Sequence, residues 1–233
     1  MKIAAVVPTS LSDYPDRVAA VVFTAGCSFR CPFCHNPDLV LPGRVSRLPA
    51  IAPESVVDDL AQRGSFLDAV VVTGGEPTMH DDLPALLDQL HRLGLLVKLD
   101  TNGSRPAMIE AVLSRGLADY VAMDIKAPRA KYDKLAGTRV DLAAIDRSIA
   151  AIRGRAPAYE FRTTAAPSLT PADVESIAEW INGASRYVLQ PFVARRGALV
   201  DGSWSERSAM DPQVLHTTWE RIADAFESGG VRA

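Results

Sequence analysis

The chain has 233 residues, of which 48% are hydrophobic and 23% are charged, a composition that allows a substantial buried core and favours one domain. Its formal net charge of -3, with both signs mixed along the sequence, excludes an extended basic surface for nucleic acid or for a membrane. The apolar run in MKIAAVVPTSLSD is too short for a signal peptide, and no stretch approaches the ~20 apolar residues that cross a bilayer. We therefore expect a cytoplasmic protein without nucleic-acid or membrane partners.

Six short runs rich in β-branched residues recur along the chain, and each is followed by a helical pattern. Four to six consecutive apolar residues without alternation are typical of strands covered on both faces, as in a parallel sheet. The predicted strands lie within residues 17–26, 68–75, 95–103, 119–126, 158–164 and 186–192.

Apolar residues at helical spacing predict helices between these strands, most clearly at 83–93 and 142–152. Thr170 is expected to cap a helix that begins at Pro171 and carries Asp173 in its first turn. A last apolar stripe, from Leu215 to Phe226, predicts a helix that covers the sheet near the end of the chain.

Six strand–helix units in about 180 residues fall short of the eight units and ~250 residues of a complete TIM barrel. We predict an α/β fold with a partial (βα)6 TIM-type barrel, in a single domain over residues 1–233. Its core would span about 17–193, and a C-terminal extension, about 194–233, would carry the closing helix. A doubly wound sheet is the alternative. In both folds the site is expected where strands end and loops begin.

All three cysteines lie in GCSFRCPFCHN, residues 26–36, as Cys27, Cys31 and Cys34. In a reducing compartment an odd set of cysteines indicates metal or cluster binding, or catalysis. Their C-x3-C-x2-C spacing lets thiolates meet at a soft centre: zinc, copper(I) or iron–sulfur. Zinc would need a fourth ligand, for which His35 is the nearest candidate, although adjacent residues rarely bind one ion. A [4Fe-4S] cluster normally takes four cysteines, so three would leave one iron open to a substrate or cofactor.

With Phe33 as the aromatic residue, the pattern C-x3-C-x-aromatic-C resembles the signature of the radical S-adenosylmethionine (SAM) superfamily. Three further motifs follow in the order found in that family: VVTGGEP, DTNG and MDIKAP. The resemblance implies that the three cysteines bind one [4Fe-4S] cluster and that SAM chelates the open iron. One electron, supplied by a flavodoxin or ferredoxin, would cleave SAM to methionine and a 5'-deoxyadenosyl radical.

The strand-end motifs also have plain structural interpretations as turns. The resemblance implies instead that Gly74 and Gly75 let the backbone approach the methionine end of SAM, and that Glu76 meets its ammonium group. The DTNG motif places three more residues beside SAM in the related enzymes. They are Asp100, Thr101 and Asn102.

Asp124 and Lys126, from MDIKAP, could form a solvated ion pair or could hold the carboxylate of the methionine moiety through Lys126. In the second interpretation a monovalent cation between Asp100 and Asp124 is a further expectation.

Four more residues are implied as cofactor neighbours. Phe33 would be a platform for adenine, with core packing as the alternative, and Asn36 completes a CHN triplet similar to that of glycyl-radical activating enzymes. Arg162 resembles the arginine of the fifth strand of those enzymes, with a salt bridge to an internal carboxylate as the competing account. Gln190 stands near the position where related enzymes carry a histidine, here Val193.

The resemblance runs nearly from end to end and is greatest to the activating proteins of anaerobic ribonucleoside-triphosphate reductase and of pyruvate formate-lyase. Those proteins create a glycyl radical on a partner, so a glycyl radical enzyme, with anaerobic ribonucleotide reductase as one candidate, is the expected partner. One alternative is a small-molecule enzyme similar to 7-carboxy-7-deazaguanine synthase, which would need a closed pocket instead of an open mouth. The other is a non-catalytic metal-binding module.

Overall fold

In the part of the chain that the structure describes, eight strands form one sheet, and their order in the sheet is the same as their order in the chain. The computed structural model describes residues 1–64, 66–194 and 199–232. β1 is antiparallel to β2, and every later neighbouring pair is parallel. The strands are β1 (Ile3–Ser10), β2 (Ala19–Thr24), β3 (Ala69–Gly74), β4 (Leu96–Thr101), β5 (Tyr120–Asp124), β6 (Tyr159–Ala165), β7 (Arg186–Pro191) and β8 (Ser228–Val231).

Helices connect each parallel strand to the next. They are α1 (Pro37–Val40), α2 (Pro42–Val45), α3 (Pro53–Gln62), α4 (Leu83–Arg92), α5 (Pro106–Ser114), α6 (Tyr132–Ala136), α7 (Leu142–Arg155), α8 (Pro171–Trp180) and α9 (Pro212–Ile222). α8 begins with the expected capping box between Thr170 and Asp173. In the portion of the chain that the structure describes, no helix is both long and apolar enough to traverse a membrane.

The helices lie on one face of the sheet. In β2, Ala20 and Val22 pack into a large core that includes helix residues such as Leu86, whereas Ala19 and Val21 belong to a smaller cluster without helix residues. A doubly wound sheet would carry helices on both faces and would reverse its strand order at one point. A sheet whose strands follow the order of the chain, with helices on one face, has the arrangement of a TIM-type barrel. The barrel is open because β1 and β8 are edge strands that do not pair with each other. The predicted partial TIM-type barrel is confirmed.

All six predicted strands are present as β2 to β7, but β1 and β8 were not predicted. β1 is an edge strand in which half of the residues are exposed, and Pro8 within it is tolerated because only one side of the strand is paired. β8 has the sequence SGGV, and glycine is depleted in strands. Gly229 is required there, because a Cβ atom at this position would lie 2.0 Å from Tyr187 O.

The predicted closing helix exists as α9, but it ends at Ile222, and Phe226 lies beyond it. After α9 the chain turns back to the sheet and adds β8 beside β7. The C-terminal extension therefore contributes a strand as well as a helix.

Candidate functional site

The carboxyl ends of the parallel strands surround a cavity of about 300 Å³. The structure brings every site residue predicted from the sequence to the wall of this one cavity. These residues are Cys27, Cys31, Phe33, Cys34, Asn36, Gly74, Gly75, Glu76, Asp100, Thr101, Asn102, Asp124, Lys126, Arg162 and Gln190. Strand ends that are distant in sequence meet here because parallel strands point their carboxyl ends in one direction.

The loop after β2 carries the three thiols to the cavity, with Cys31 buried and the other two partly buried. Two sulfur atoms accept hydrogen bonds from the backbone of the same loop. Phe29 N donates to Cys27 Sγ (3.4 Å), and Asn36 N donates to Cys34 Sγ (3.4 Å). The loop thus curls around its own sulfur atoms.

Two other parts of the chain fix this loop. Arg30 N donates to Ala136 O at the end of α6 (2.7 Å), and the Arg30 guanidinium donates to Cys27 O (2.5 Å). From the C-terminal extension, Val200 N donates to Cys34 O (3.0 Å). The extension therefore helps to hold the cysteine loop in place.

The donor set of this loop fits an iron–sulfur cluster. Thiolates are the ligands that such clusters take, and a cluster spreads its ligands over several irons, so the sulfurs need not meet at one point. Among the described residues, no three or more His, Cys, Asp or Glu side chains are grouped to hold one metal ion. His35, the candidate fourth zinc ligand, donates through Nε2 to Val193 O (2.7 Å) and stacks on Phe192.

Burial controls the protonation of the thiols. It raises the pKa of Cys27 to about 11, with a further contribution from nearby Glu76, and raises the pKa of Cys31 to about 12. The Lys126 ammonium opposes both shifts. Metal centres bind the thiolate form, so loading of this site must release protons and supply the positive charge that stabilises buried thiolates.

The Gly-Gly-Glu turn after β3 is pressed against the cysteine loop. A Cβ atom on Gly74, whose φ is +121°, would lie 2.3 Å from Thr24 O, and one on Gly75 would lie 2.0 Å from Gly26 O. Glu76 N donates to Gly26 O (2.7 Å). Only glycine permits these approaches, so Gly74 lets the end of β3 pack against the end of β2, and Gly75 lets the turn pack against the cysteine loop.

Glu76 is a buried carboxylate that ties together the ends of β3 and β4, and only 1% of its surface is exposed. Its Oε1 accepts hydrogen bonds from Thr78 N (3.2 Å), Thr78 Oγ1 (2.5 Å) and Thr101 Oγ1 (2.7 Å). Its Oε2 accepts from Asn102 N (2.6 Å). None of these donors is charged, and burial raises the pKa of Glu76 despite them. A cationic group bound in the cavity would favour the ionised form.

Five charged side chains form an alternating network across β4, β5 and β6, which we call the charge network: Lys98, Asp100, Arg162, Asp124 and Lys126. Arg162 donates to Asp124 Oδ1 through Nε (2.9 Å) and to Asp100 Oδ2 through Nη1 (3.2 Å). Lys98 Nζ lies 2.9 Å from Asp100 Oδ1. Lys126 Nζ donates to Asp124 Oδ2 (2.9 Å).

The charge network keeps both carboxyl groups ionised. Burial alone would raise the pKa values of Asp100 and Asp124, but the Arg162 guanidinium, with Lys98 beside Asp100 and Lys126 beside Asp124, holds both pKa values below their usual range. Arg162 thus makes the salt bridges that the competing account expected, and it also lines the cavity. Because its guanidinium bridges the two carboxylates, the structure gives no support to the expected monovalent cation between them.

The other predicted residues lie on the cavity wall in different settings. Phe33 is buried with its ring against Trp204 of the C-terminal extension (centroids 6.0 Å apart), as core packing would have it, and it also lines the cavity. Asn36 is exposed at the rim. Gln190 is near the end of β7, paired in register with Thr164 of β6.

Lys98, which is only 2% exposed, is a member of the charge network that was not predicted from the sequence. Besides its contact with Asp100, Lys98 Nζ donates to Asp13 O (2.7 Å) in the loop between β1 and β2. The signal was present in the sequence: Lys98 and Asp100 are two residues apart in one strand and therefore share a face. Lys98 could therefore have been predicted as a charged residue of an apolar strand that shares a face with a predicted site residue.

We predict that Arg162→Met lowers the free energy of unfolding at pH 7 by about 3–5 kcal/mol, because it leaves two buried carboxylates without their shared cation. Urea denaturation of the anaerobically purified protein measures this loss. Asp100 and Asp124 have depressed pKa values in the native chain, so their pairing stabilises it fully above pH ~4, and this stabilisation is lost as the pH falls from ~4 towards the folded pKa values. The difference in unfolding free energy between the parent and Arg162→Met should therefore shrink as the pH falls below ~4.

Asp124→Asn in the Arg162→Met background is the matched control. It neutralises a carboxylate that has lost Arg162 and keeps only Lys126 as a partner, and part of the lost stability should return. An Arg162→Met protein as stable as the parent at pH 7 would contradict the role assigned to the charge network.

Comparison with known proteins places this site in a family. The family model of the radical SAM superfamily matches residues 21–181. A relative from Methanocaldococcus jannaschii, provisionally named a glycyl-radical enzyme activating enzyme, is 33% identical over 196 residues, which are 82% of this chain and 79% of that protein. The 7-carboxy-7-deazaguanine synthase of Halobacterium salinarum is 42% identical over 85 residues, which are 36% of this chain and 31% of that protein.

Among solved structures, Streptococcus suis SuiB aligns with 91% of this chain at a TM-score of 0.67 and 15% sequence identity. The alignment covers 48% of the SuiB chain, so this chain spans about half of that protein, and the likeness shows the fold alone. The family model, by contrast, matches well over half of this chain, and the Methanocaldococcus relative aligns with 82% of it. With three cysteines, a Gly-Gly-Glu turn and an open barrel around one cavity, this chain belongs to the radical SAM superfamily.

Proposed function

We propose that this chain is a glycyl-radical-enzyme activating enzyme, which uses one [4Fe-4S] cluster and SAM to create a glycyl radical on a partner protein. The observation that carries the proposal is the extent of the match to the Methanocaldococcus relative, over 82% of this chain and 79% of that protein. Membership of the superfamily implies the cluster and SAM. The identity of the partner and of the electron donor belongs to the proposal.

The size of the cavity and the exposed residues at its rim support a substrate that stays outside the cavity and reaches it with one residue. At about 300 Å³ it is at the small end of the ~300–1,000 Å³ range of ligand sites. In this proposal a cluster and SAM occupy the cavity, and the substrate approaches from its open side. At the rim, Asn36 is exposed, and Val193, whose carbonyl binds the cavity residue His35, is 54% exposed. A glycine on a protein loop could approach across this rim.

In this proposal Cys27, Cys31 and Cys34 hold the cluster. When bound, these cofactors would supply the one-electron cleavage of SAM to methionine and a 5'-deoxyadenosyl radical, which would take a hydrogen atom from the glycine Cα to give 5'-deoxyadenosine and the glycyl radical. A flavodoxin or ferredoxin would provide the electron. The protein itself would bind the cofactors, orient them towards the substrate and exclude water from the cavity.

The charged groups on the cavity wall match the charges of the methionine moiety of SAM. Glu76 offers a carboxylate whose four hydrogen-bond donors are all uncharged, so it suits the ammonium group. Lys126 offers an ammonium beside the cysteine loop that suits the carboxylate. Phe33, Asn36 and Gln190 line the same wall and are proposed neighbours of the rest of SAM.

A second candidate is a small-molecule radical SAM enzyme similar to 7-carboxy-7-deazaguanine synthase. The observation in its favour is the higher identity, 42%, to the Halobacterium enzyme. That match covers only 36% of this chain, however, so it supports a shared cofactor site more than a shared substrate.

We predict that Glu76→Gln weakens SAM binding by about 10- to 100-fold, because a hydrogen bond between charged groups is worth roughly 1.5–3 kcal/mol. Isothermal titration calorimetry of the anaerobically reconstituted protein measures the Kd. Glu110→Gln, which removes an exposed carboxylate that pairs with Arg147 on the protein surface, is the matched control. An unchanged Kd in Glu76→Gln, with normal iron content, would remove Glu76 from the SAM site.

The proposed activity itself predicts a stable glycyl radical. The reconstituted protein, SAM and dithionite would be mixed with purified anaerobic ribonucleoside-triphosphate reductase, and the mixture examined by electron paramagnetic resonance. We expect a protein-based glycyl signal that requires both SAM and this chain. Absence of that signal, together with formation of 7-carboxy-7-deazaguanine from the substrate of that synthase, would favour the second candidate.

A further inference from the structure

Asn102, at the end of β4, joins its own loop to the cysteine loop. Its Nδ2 donates to Cys27 Sγ (3.7 Å) and to Ser28 Oγ (3.0 Å), and the residue is 5% exposed. The family resemblance placed this residue beside SAM. Its side chain in the structure is in contact with a cluster ligand.

The orientation of the Asn102 amide is set by its neighbours. Ser104 N, which can only donate, bonds to Asn102 Oδ1 (2.9 Å), so the Nδ2 group must face the cysteine loop. The Ser28 and Ser104 hydroxyls lie 2.7 Å apart and connect the same two loops. On the backbone side, Asn102 N donates to Glu76 Oε2 (2.6 Å). The amide is therefore held in place before any cofactor binds.

Among the described residues, the donors to the three sulfur atoms are distributed unequally. Cys27 Sγ accepts from Phe29 N and from Asn102 Nδ2, and Cys34 Sγ accepts from Asn36 N. Of these donors, only Asn102 uses its side chain. Of these three hydrogen bonds, the one from Asn102 is therefore the one that a side-chain substitution can remove without changing a backbone donor.

We propose that Asn102 is a positioning residue that raises the reduction potential of the cluster through its hydrogen bond to Cys27. This inference rests on the proposed function, in which Cys27 is a cluster ligand. Hydrogen bonds to the sulfurs are among the factors that set the potential of such clusters. The reduced cluster carries one more electron, so its sulfurs are more negative and an N–H donor stabilises the reduced state more than the oxidised state.

A purely structural role for Asn102 makes a different prediction. If the side chain only tied the two loops together, its removal would lower thermal stability or cluster occupancy and would leave the potential of the remaining clusters unchanged. The reduction potential therefore separates the two roles, and it can be measured without SAM and without any partner protein.

The test is a redox titration of the reconstituted protein without SAM, followed by electron paramagnetic resonance of the reduced cluster. Asn102→Ala is compared with Asn36→Ala, another asparagine of the cavity wall whose bond to Cys34 Sγ uses the backbone and survives the substitution. At the potential where half of the parent is reduced, we expect a severalfold lower ratio of reduced to oxidised cluster in Asn102→Ala and an unchanged ratio in Asn36→Ala.

Asn102→Ser is the second variant, because its hydroxyl can still accept from Ser104 N while the amide is absent. An unchanged potential in loaded Asn102→Ala and Asn102→Ser would overturn the inference and leave the proposed function intact. Failure of both variants to hold a cluster, when Asn36→Ala holds one, would assign Asn102 to assembly and would also overturn it. If the parent itself assembles no cluster, the proposed function and the inference fail together.

Discussion

The site depends on one close backbone contact, between the Gly-Gly-Glu turn after β3 and the start of the cysteine loop after β2. A Cβ atom at Gly75 would lie 2.0 Å from Gly26 O, so this contact exists only because the side chain is missing. From this contact the chain turns Glu76 inward, and Glu76 in turn holds the backbone of Asn102. The Asn102 side chain then reaches back to Cys27 and closes a ring of contacts around the cavity.

The inner face of the sheet carries the charge network in addition to a small apolar cluster, whereas the interior of a closed barrel is a packed core of mostly apolar side chains. The charge network is tolerated there because each carboxylate has cations on both sides, and these outweigh the cost of burial. Lys98 extends the network to Asp13, in the loop between the first two strands. We interpret the network as a support that holds the side chains of Asp100 and Lys126 in place at the cavity wall through their ion pairs.

The sequence allowed the six central strands, the capped helix and the location of the site to be predicted, because buried parallel strands and N-caps have strong local signals. The edge strands β1 and β8 have weak signals, since one contains a proline and the other two adjacent glycines. For Arg162 the sequence left two interpretations open, because the partners of a strand residue are set by the register with neighbouring strands. The contacts of Asn102 could not be predicted for the same reason. They depend on how two loops that are 75 residues apart in sequence pack together.

The central claim, that this site cleaves SAM at a cluster bound by its three cysteines, has a direct test. The protein is reconstituted anaerobically with iron and sulfide and reduced with dithionite in the presence of SAM, and 5'-deoxyadenosine is quantified, with Cys31→Ala as the matched control. We predict 5'-deoxyadenosine from the parent and none above background from Cys31→Ala, which should also lose its cluster. Full iron content and SAM cleavage in Cys31→Ala, or a reduced cluster in the parent that leaves SAM intact, would contradict the account.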